Sequence, residues 1–111
     1  MIVQGPELFG SEARTKILVA LALLGETYPR ELARIIRLPL VTVQRNVNHL
    51  DREGVTASRV LGTLRQVRLN PSYFARDELA TLLSRLAQGM PALRRSVEEL
   101  RRRPRRAGKS L

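Results

Sequence analysis

Hydrophobic positions between residues 30 and 54 recur twice at three- and four-residue spacing, first Leu32, Ile35 and Ile36, then Val43, Val47 and Leu50. That is the period of two helices, each burying one face. Leu38 and Pro39 separate the stripes. Proline cannot continue a helix but fits the first turn of a new one, so the chain is expected to break and restart there. Two apolar stripes joined by so short a turn require a shared core. The remaining face of the second helix carries Leu40, Val41, Thr42, Gln44, Arg45 and Asn48, a face rich in groups able to bond base edges.

The pattern on either side predicts the neighbouring elements. Upstream, Gly10-Ser11 offers a helix start, with the Ser11 hydroxyl as cap and Glu12 beside the positive end of the helix dipole. Ile17, Leu18, Leu21 and Leu24 form an apolar stripe over 13–24, and Gly25 supplies the stop. Ala20 and Ala22 permit close approach on this helix, so it could serve both the core and a partner subunit. Leu8-Phe9 is placed to dock on the domain, residues 26–29 are a connection, and Pro29 fits the first turn of the next helix.

Downstream, Gly54 is a natural left-handed stop, after which the period shortens to two. Val55, Ala57 and Arg59 alternate with Thr56 and Ser58, and Val67 and Leu69 with Gln66 and Arg68. Strands over 55–59 and 64–69 follow, with Gly62-Thr63 as the tight turn. Asn70-Pro71 ends the second strand. Tyr73 and Phe74 fall in a linking turn and are expected to pack, and Asp77 with Glu78 suits the opening of another helix.

The C-terminal part has its own regularity. Leu79, Leu83, Leu86, Met90, Leu93, Val97 and Leu100 are separated by alternating steps of four and three, the spacing of a coiled-coil seam. Gly89 and Pro91 interrupt it, so two helices are expected, over 77–88 and 91–103. Either these fold back on their own domain or they join two copies. A narrow seam hides poorly on so small a core, which favours a homodimer. Pro104 ends the last helix, and residues 104–111 read as a basic disordered tail, equally able to bind phosphate or to remain solvated.

The stretch from Leu8-Phe9-Gly10-Ser11 to about Leu83 resembles the winged helix-turn-helix of prokaryotic transcriptional regulators, ArsR-like and related. The matching pieces are Glu31-Leu32-Ala33 in the positioning helix, Leu38 before the turn, Thr42-Val43-Gln44-Arg45 in the recognition helix and Leu50-Asp51-Arg52-Glu53-Gly54-Val55 at its end. The resemblance implies a mainly α fold with a small β-hairpin (α+β), a three-helix core plus wing, followed by C-terminal helices. It divides the chain into a DNA-binding domain over 1–72, C-terminal dimerisation helices over 73–103 and the tail. Two features depart from the family. Pro39 stands where Ser or Thr often caps the recognition helix, and Val60, Leu61 and Leu64 make the wing tip apolar where similar proteins have a more basic loop.

Charge changes the picture more than size does. At 111 residues the chain allows one modest aliphatic core, with 43% hydrophobic residues and only 4% aromatic. The net charge is +10, which draws a protein to polyanions, and nucleic acid is the commonest of these in the cytoplasm. Residues 91–111 hold eight of the 20 basic and two of the 10 acidic residues, so the tail end is the more basic part. There is no cysteine and one histidine, His49. This disfavours a metal sensor and a nucleophilic enzyme together, and no glycine loop able to cradle phosphate is present. No cofactor is expected. Nothing reads as a membrane span or signal peptide, so the expected location is cytoplasmic.

These expectations combine into a sequence-specific regulator that binds double-stranded DNA as a homodimer on a two-part site. The recognition helix lies in the major groove, with Leu40, Val41, Thr42, Gln44, Arg45 and Asn48 as the reading residues. Arg45 matches guanine through its forked donors and Gln44 matches adenine. Arg30, Arg34 and Arg37, with Arg59, Thr63 and Arg65 on the wing, are assigned to phosphates. Duller roles stay open, such as an Arg45–Asp51 ion pair and solvated positions for Gln44 and Asn48. The rivals are a winged-helix protein-interaction module and an RNA-binding protein. The operator, the sign of regulation and any small-molecule effector are not encoded in the pattern.

Overall fold

Ser11 starts the first helix as its hydroxyl predicts. Its Oγ accepts the Arg14 backbone N–H at 3.0 Å, satisfying one of the donors that a helix N-terminus leaves free. In the computed structural model, which describes residues 8–102, this helix is α1 (Glu12–Leu24). Gly25 ends it at φ 86°, a backbone conformation that a side chain would strain. Lys16 pairs with Glu12 at 2.8 Å, and the hydrogen bond from its ammonium, with its charge, holds the Glu12 carboxyl below the ordinary carboxylate value.

The single stripe expected on α1 needs correction, because Ile17, Leu18, Val19, Ala20 and Leu21 are all buried. Later helices pack on α1 from several sides, so it runs through the core rather than lying on it. Phe9 packs against the core and Leu8 stays exposed.

The expected connection at 26–29 contains a strand that was too short to show alternation. This is β1 (Glu26–Thr27). Thr27 is buried, and its hydroxyl donates to Glu31 Oε1 at 2.6 Å, fastening the strand to the first turn of α2 (Pro29–Ile36). Arg37 closes α2 with φ 65°, the one non-glycine residue at positive φ among those described. The Arg37 and Leu38 N–H groups both reach the Ala33 carbonyl, at 2.8 and 3.1 Å.

The next helix, α3 (Leu40–Arg52), then starts at once. Pro39 is its N-cap rather than part of its first turn. Its side chain has no oxygen to offer, but its carbonyl accepts the Thr42 and Val43 N–H groups at 3.0 and 3.2 Å. At the other end Gly54 has φ 79°. Paired bonds from Val55 N–H to Leu50 O and from Gly54 N–H to Asp51 O then close the helix.

The hairpin is β2 (Thr56–Leu61) and β3 (Leu64–Leu69), turning at Gly62-Thr63 with Leu61 opposite Leu64. The first strand runs two residues further than its alternation suggested. With β1 paired to β3, Thr27 opposite Val67, the sheet is antiparallel in the order β1-β3-β2. Val67 is the buried hydrophobic residue of the hairpin and joins it to the core, with Thr56 buried on the other strand.

The last two helices are α4 (Arg76–Ala87) and α5 (Pro91–Arg102). Between them the Gly89 and Met90 N–H groups turn back to Leu86 and Ala87. This break folds the apolar seam in two, and both halves meet the same core. Leu83, Ala87, Leu93 and Val97 are buried together with Ile17, Leu32, Val43 and Val47, while Leu79, Leu86, Met90 and Leu100 pack partly buried against them. The Arg101 guanidinium donates to the Leu23 carbonyl, tying the end of α5 to α1. Of the seam expected to offer itself to a second copy, Leu83, Leu93 and Val97 are buried against this chain's own helices and Leu79, Leu86, Met90 and Leu100 only partly so, and α4 and α5 share a core with the preceding elements.

The described residues therefore form an α+β fold of five helices and a three-stranded antiparallel sheet, mainly α with a small hairpin. The packing role expected of Phe74 is not seen. Its ring is 91% exposed, edge-on to Tyr73 with centroids 5.1 Å apart. No helix among the described residues is long and apolar enough to cross a membrane. Residues 1–7 and 103–111, including the basic tail at 104–111, lie outside the described residues.

Candidate nucleic-acid interface

The helix α3 divides cleanly by face. Val43, Val47 and Leu50 enter the core, and Val41, Gln44, Arg45, Asn48 and Arg52 are exposed. The exposed set follows the three- and four-residue spacing of one helical face, so the outward stripe is continuous from the first turn to the last. No hydrogen bond or ion pair holds the Gln44, Arg45 or Asn48 side chain among the described residues. Leu40 and Thr42 are half-buried at the start of the helix. Asn46, which the sequence assigned no role, donates from Nδ2 to the Thr42 carbonyl at 2.9 Å, which keeps its amide beside the helix backbone.

Arg52 was missed as a member of this face although its spacing announced it, four residues beyond Asn48 and seven beyond Arg45. The Arg45–Asp51 alternative is not realised. Asp51 instead accepts from the buried Thr56 hydroxyl and from Arg65 Nη2, the latter at 2.9 Å.

That arrangement changes the role of Arg65. In the hairpin register Ser58 stands opposite Val67 and Val60 opposite Arg65, so all four share the inward face. Arg65 Nε donates to Ser58 Oγ at 3.1 Å while its Nη2 reaches Asp51. The guanidinium is committed to binding the hairpin to the end of α3, where a phosphate would have to compete with a carboxylate. Arg59 lies on the outer face and donates to Gln66 Oε1 at 3.2 Å, an exposed bond that a phosphate could replace. Thr63 is exposed at the turn. The tip itself is apolar in space as in sequence, with Val60 73%, Leu61 42% and Leu64 52% exposed.

Arg30, Arg34 and Arg37 are exposed on and just after α2. Arg37 also borders an open groove of about 610 Å³ that Lys16 of α1 and Arg95 of α5 share with Glu99. No local pattern associates α5 with this region, because only folding brings the start of α5 beside the end of α2.

His49 Nε2 lies 3.1 Å from Glu53 Oε2, one turn on, and both side chains are partly exposed. Among the described residues there is no cluster of three or more His, Cys, Asp or Glu side chains that could hold a metal ion. No protein-family model, no curated protein and no solved structure matches this chain.

Proposed function

We propose that this protein is a sequence-specific regulator of transcription of the winged helix-turn-helix kind, reading double-stranded DNA with α3 in the major groove. The observation that carries the reading is the outward stripe of Gln44, Arg45, Asn48 and Arg52, unencumbered on a helix whose other face is anchored in the core. A helix fixed from behind can present donors at a defined register, which base readout requires. Arg45 supplies a fork matched to guanine O6 and N7, and Gln44 and Asn48 supply amides matched to adenine N6 and N7. Arg30, Arg34 and Arg37 on the adjoining helix, with Arg59 on the hairpin, provide charge for phosphates on either side.

The proposal includes two copies on a two-part site. Leu83, Leu93 and Val97 of the C-terminal seam are buried within the chain, so the contact between copies falls to its partly exposed members Leu79, Leu86, Met90 and Leu100 or to other residues. Selection of bound duplexes from a random library tests the whole reading. A conserved site of two related halves is the expected result, and recovery of no preferred sequence would refute it.

A second reading has an observation of its own. The exposed Val60, Leu61 and Leu64 at the hairpin tip suit a protein contact better than a phosphate backbone. In that case the fold is a scaffold and Arg45→Ala leaves partner binding unchanged.

A further inference from the structure

Arg14 is a cation with no carboxylate partner among the described residues. It lies in the first turn of α1, at the positive end of the helix dipole, where a carboxylate would be favoured. Its Nε is buried and has no hydrogen-bond partner, and no carboxylate forms an ion pair with it among the described residues. The Nε is closed off from solvent, so an anion would meet the guanidinium through its terminal nitrogens, for which no carboxylate partner is found among the described residues.

Arg14 lines a cavity of about 210 Å³ together with Leu18 of α1, Leu50 of α3, Val55 at the foot of the hairpin, Leu79 of α4, and Phe9 and Tyr73. One other charged side chain reaches it, Glu53, which is held by His49 at 3.1 Å. Besides Glu53, the cavity therefore offers one cation without a carboxylate partner among the described residues, on an otherwise largely apolar surface. Its volume falls below the roughly 300–1,000 Å³ of sites for drug-sized ligands, which limits the occupant to a single ring or a short branched chain. A second carboxylate on the ligand would meet Glu53.

We infer that this cavity binds a small organic monocarboxylate, its carboxylate on the Arg14 guanidinium and its hydrocarbon body against Leu18, Leu50, Val55 and Leu79. A guanidinium among the lining residues can make charge-assisted bonds to a carboxylate, and the apolar walls can hold a hydrocarbon body, the combination that fixes both orientation and class of ligand. Two of those walls, Leu50 and Val55, adjoin the end of α3 and the start of β2.

The test is a titration of the full-length protein with benzoate and, separately, with benzamide, which keeps the ring and loses the charge, followed by amide NMR. Benzoate is expected to saturate, with the largest shifts at Leu18, Leu50, Val55 and Leu79, and to bind at least tenfold more tightly than benzamide. Arg14→Gln should bring benzoate down to the benzamide level and leave benzamide unchanged. Equal affinities for the two probes, shifts spread over the arginine surface without saturation, or undiminished benzoate binding by R14Q would each overturn the inference. The comparison of probes on the natural chain decides the matter even if R14Q folds poorly. Binding is read without DNA, so the result is independent of what α3 recognises.

Discussion

Arg37 shows how one residue can serve geometry and surface at once. Its φ of 65° lets α2 stop and α3 begin within two further residues, although a left-handed conformation costs a non-glycine residue roughly 1–2 kcal/mol. Its side chain is meanwhile exposed beside the groove shared with Lys16 and Arg95. Arg37→Gly is therefore expected to raise stability by roughly 0.5–1 kcal/mol, because glycine adopts the turn freely but loses more entropy on folding. The same change should weaken DNA binding if the guanidinium meets a phosphate. Urea unfolding and a DNA titration on the same variant would show the two effects with opposite signs, and a loss of stability would contradict the account of the turn.

Asp51 makes the complementary point, for a polar group whose work is internal. It accepts from Thr56 and Arg65 together, with the Arg65 and Asp51 side chains 28% and 24% exposed. Asp51→Ala leaves the Thr56 hydroxyl buried without this partner and frees Arg65. We expect a loss of about 1–2 kcal/mol after allowing for solvent screening. Faster hydrogen exchange confined to β2 and β3 would locate the effect, and unchanged exchange there would count against a latch.

At the scale of elements, the helices were legible because their signals are local. Ser11, Gly25, Pro29 and Gly54 each act within a turn, and the observed ends follow them closely. Strand β1 was illegible for the opposite reason. Two residues cannot display a period, and Glu26 and Thr27 become a strand only because Arg68 and Val67 arrive alongside. The face of α3 could be read from spacing alone. The commitment of Arg65 to Asp51 could not, since it joins residues 14 apart across two elements.

The seam on α4 and α5 was visible as a pattern, but a heptad spacing does not say whose surface completes it. In the structure Leu83 is fully buried within the chain. Leu83→Ala should therefore destabilise the protein by about 2–5 kcal/mol, as loss of a core leucine does. The cost should not depend on protein concentration. A midpoint that moves with concentration would show that the seam is an intersubunit surface after all.

Across the described residues, a core built from all five helices and Val67 gives α3 a rigid back and leaves its Gln44, Arg45 and Asn48 side chains facing outward without a partner. The net charge of +10 adds long-range attraction to any polyanion, so affinity by itself distinguishes little. Salt dependence is more informative. If Arg30, Arg34, Arg37 and Arg59 each neutralise one phosphate, log K should fall against log salt with a slope near −3 to −4 per chain, at about 0.9 per contact. A slope near zero would leave no place for a phosphate-bound interface. Even a steep slope is equally consistent with binding that reads no sequence.

Sequence reading by α3 is tested most directly by the base preference of Arg45→Ala against that of the natural chain, both measured by selection from the same random duplex library. The account predicts that the natural chain selects a defined site and that the variant loses discrimination at one base pair, by roughly 5- to 150-fold for a bidentate contact of about 1–3 kcal/mol. Preferences at the other positions should be retained. A natural chain that selects no sequence, or a variant with an unaltered profile, would contradict it.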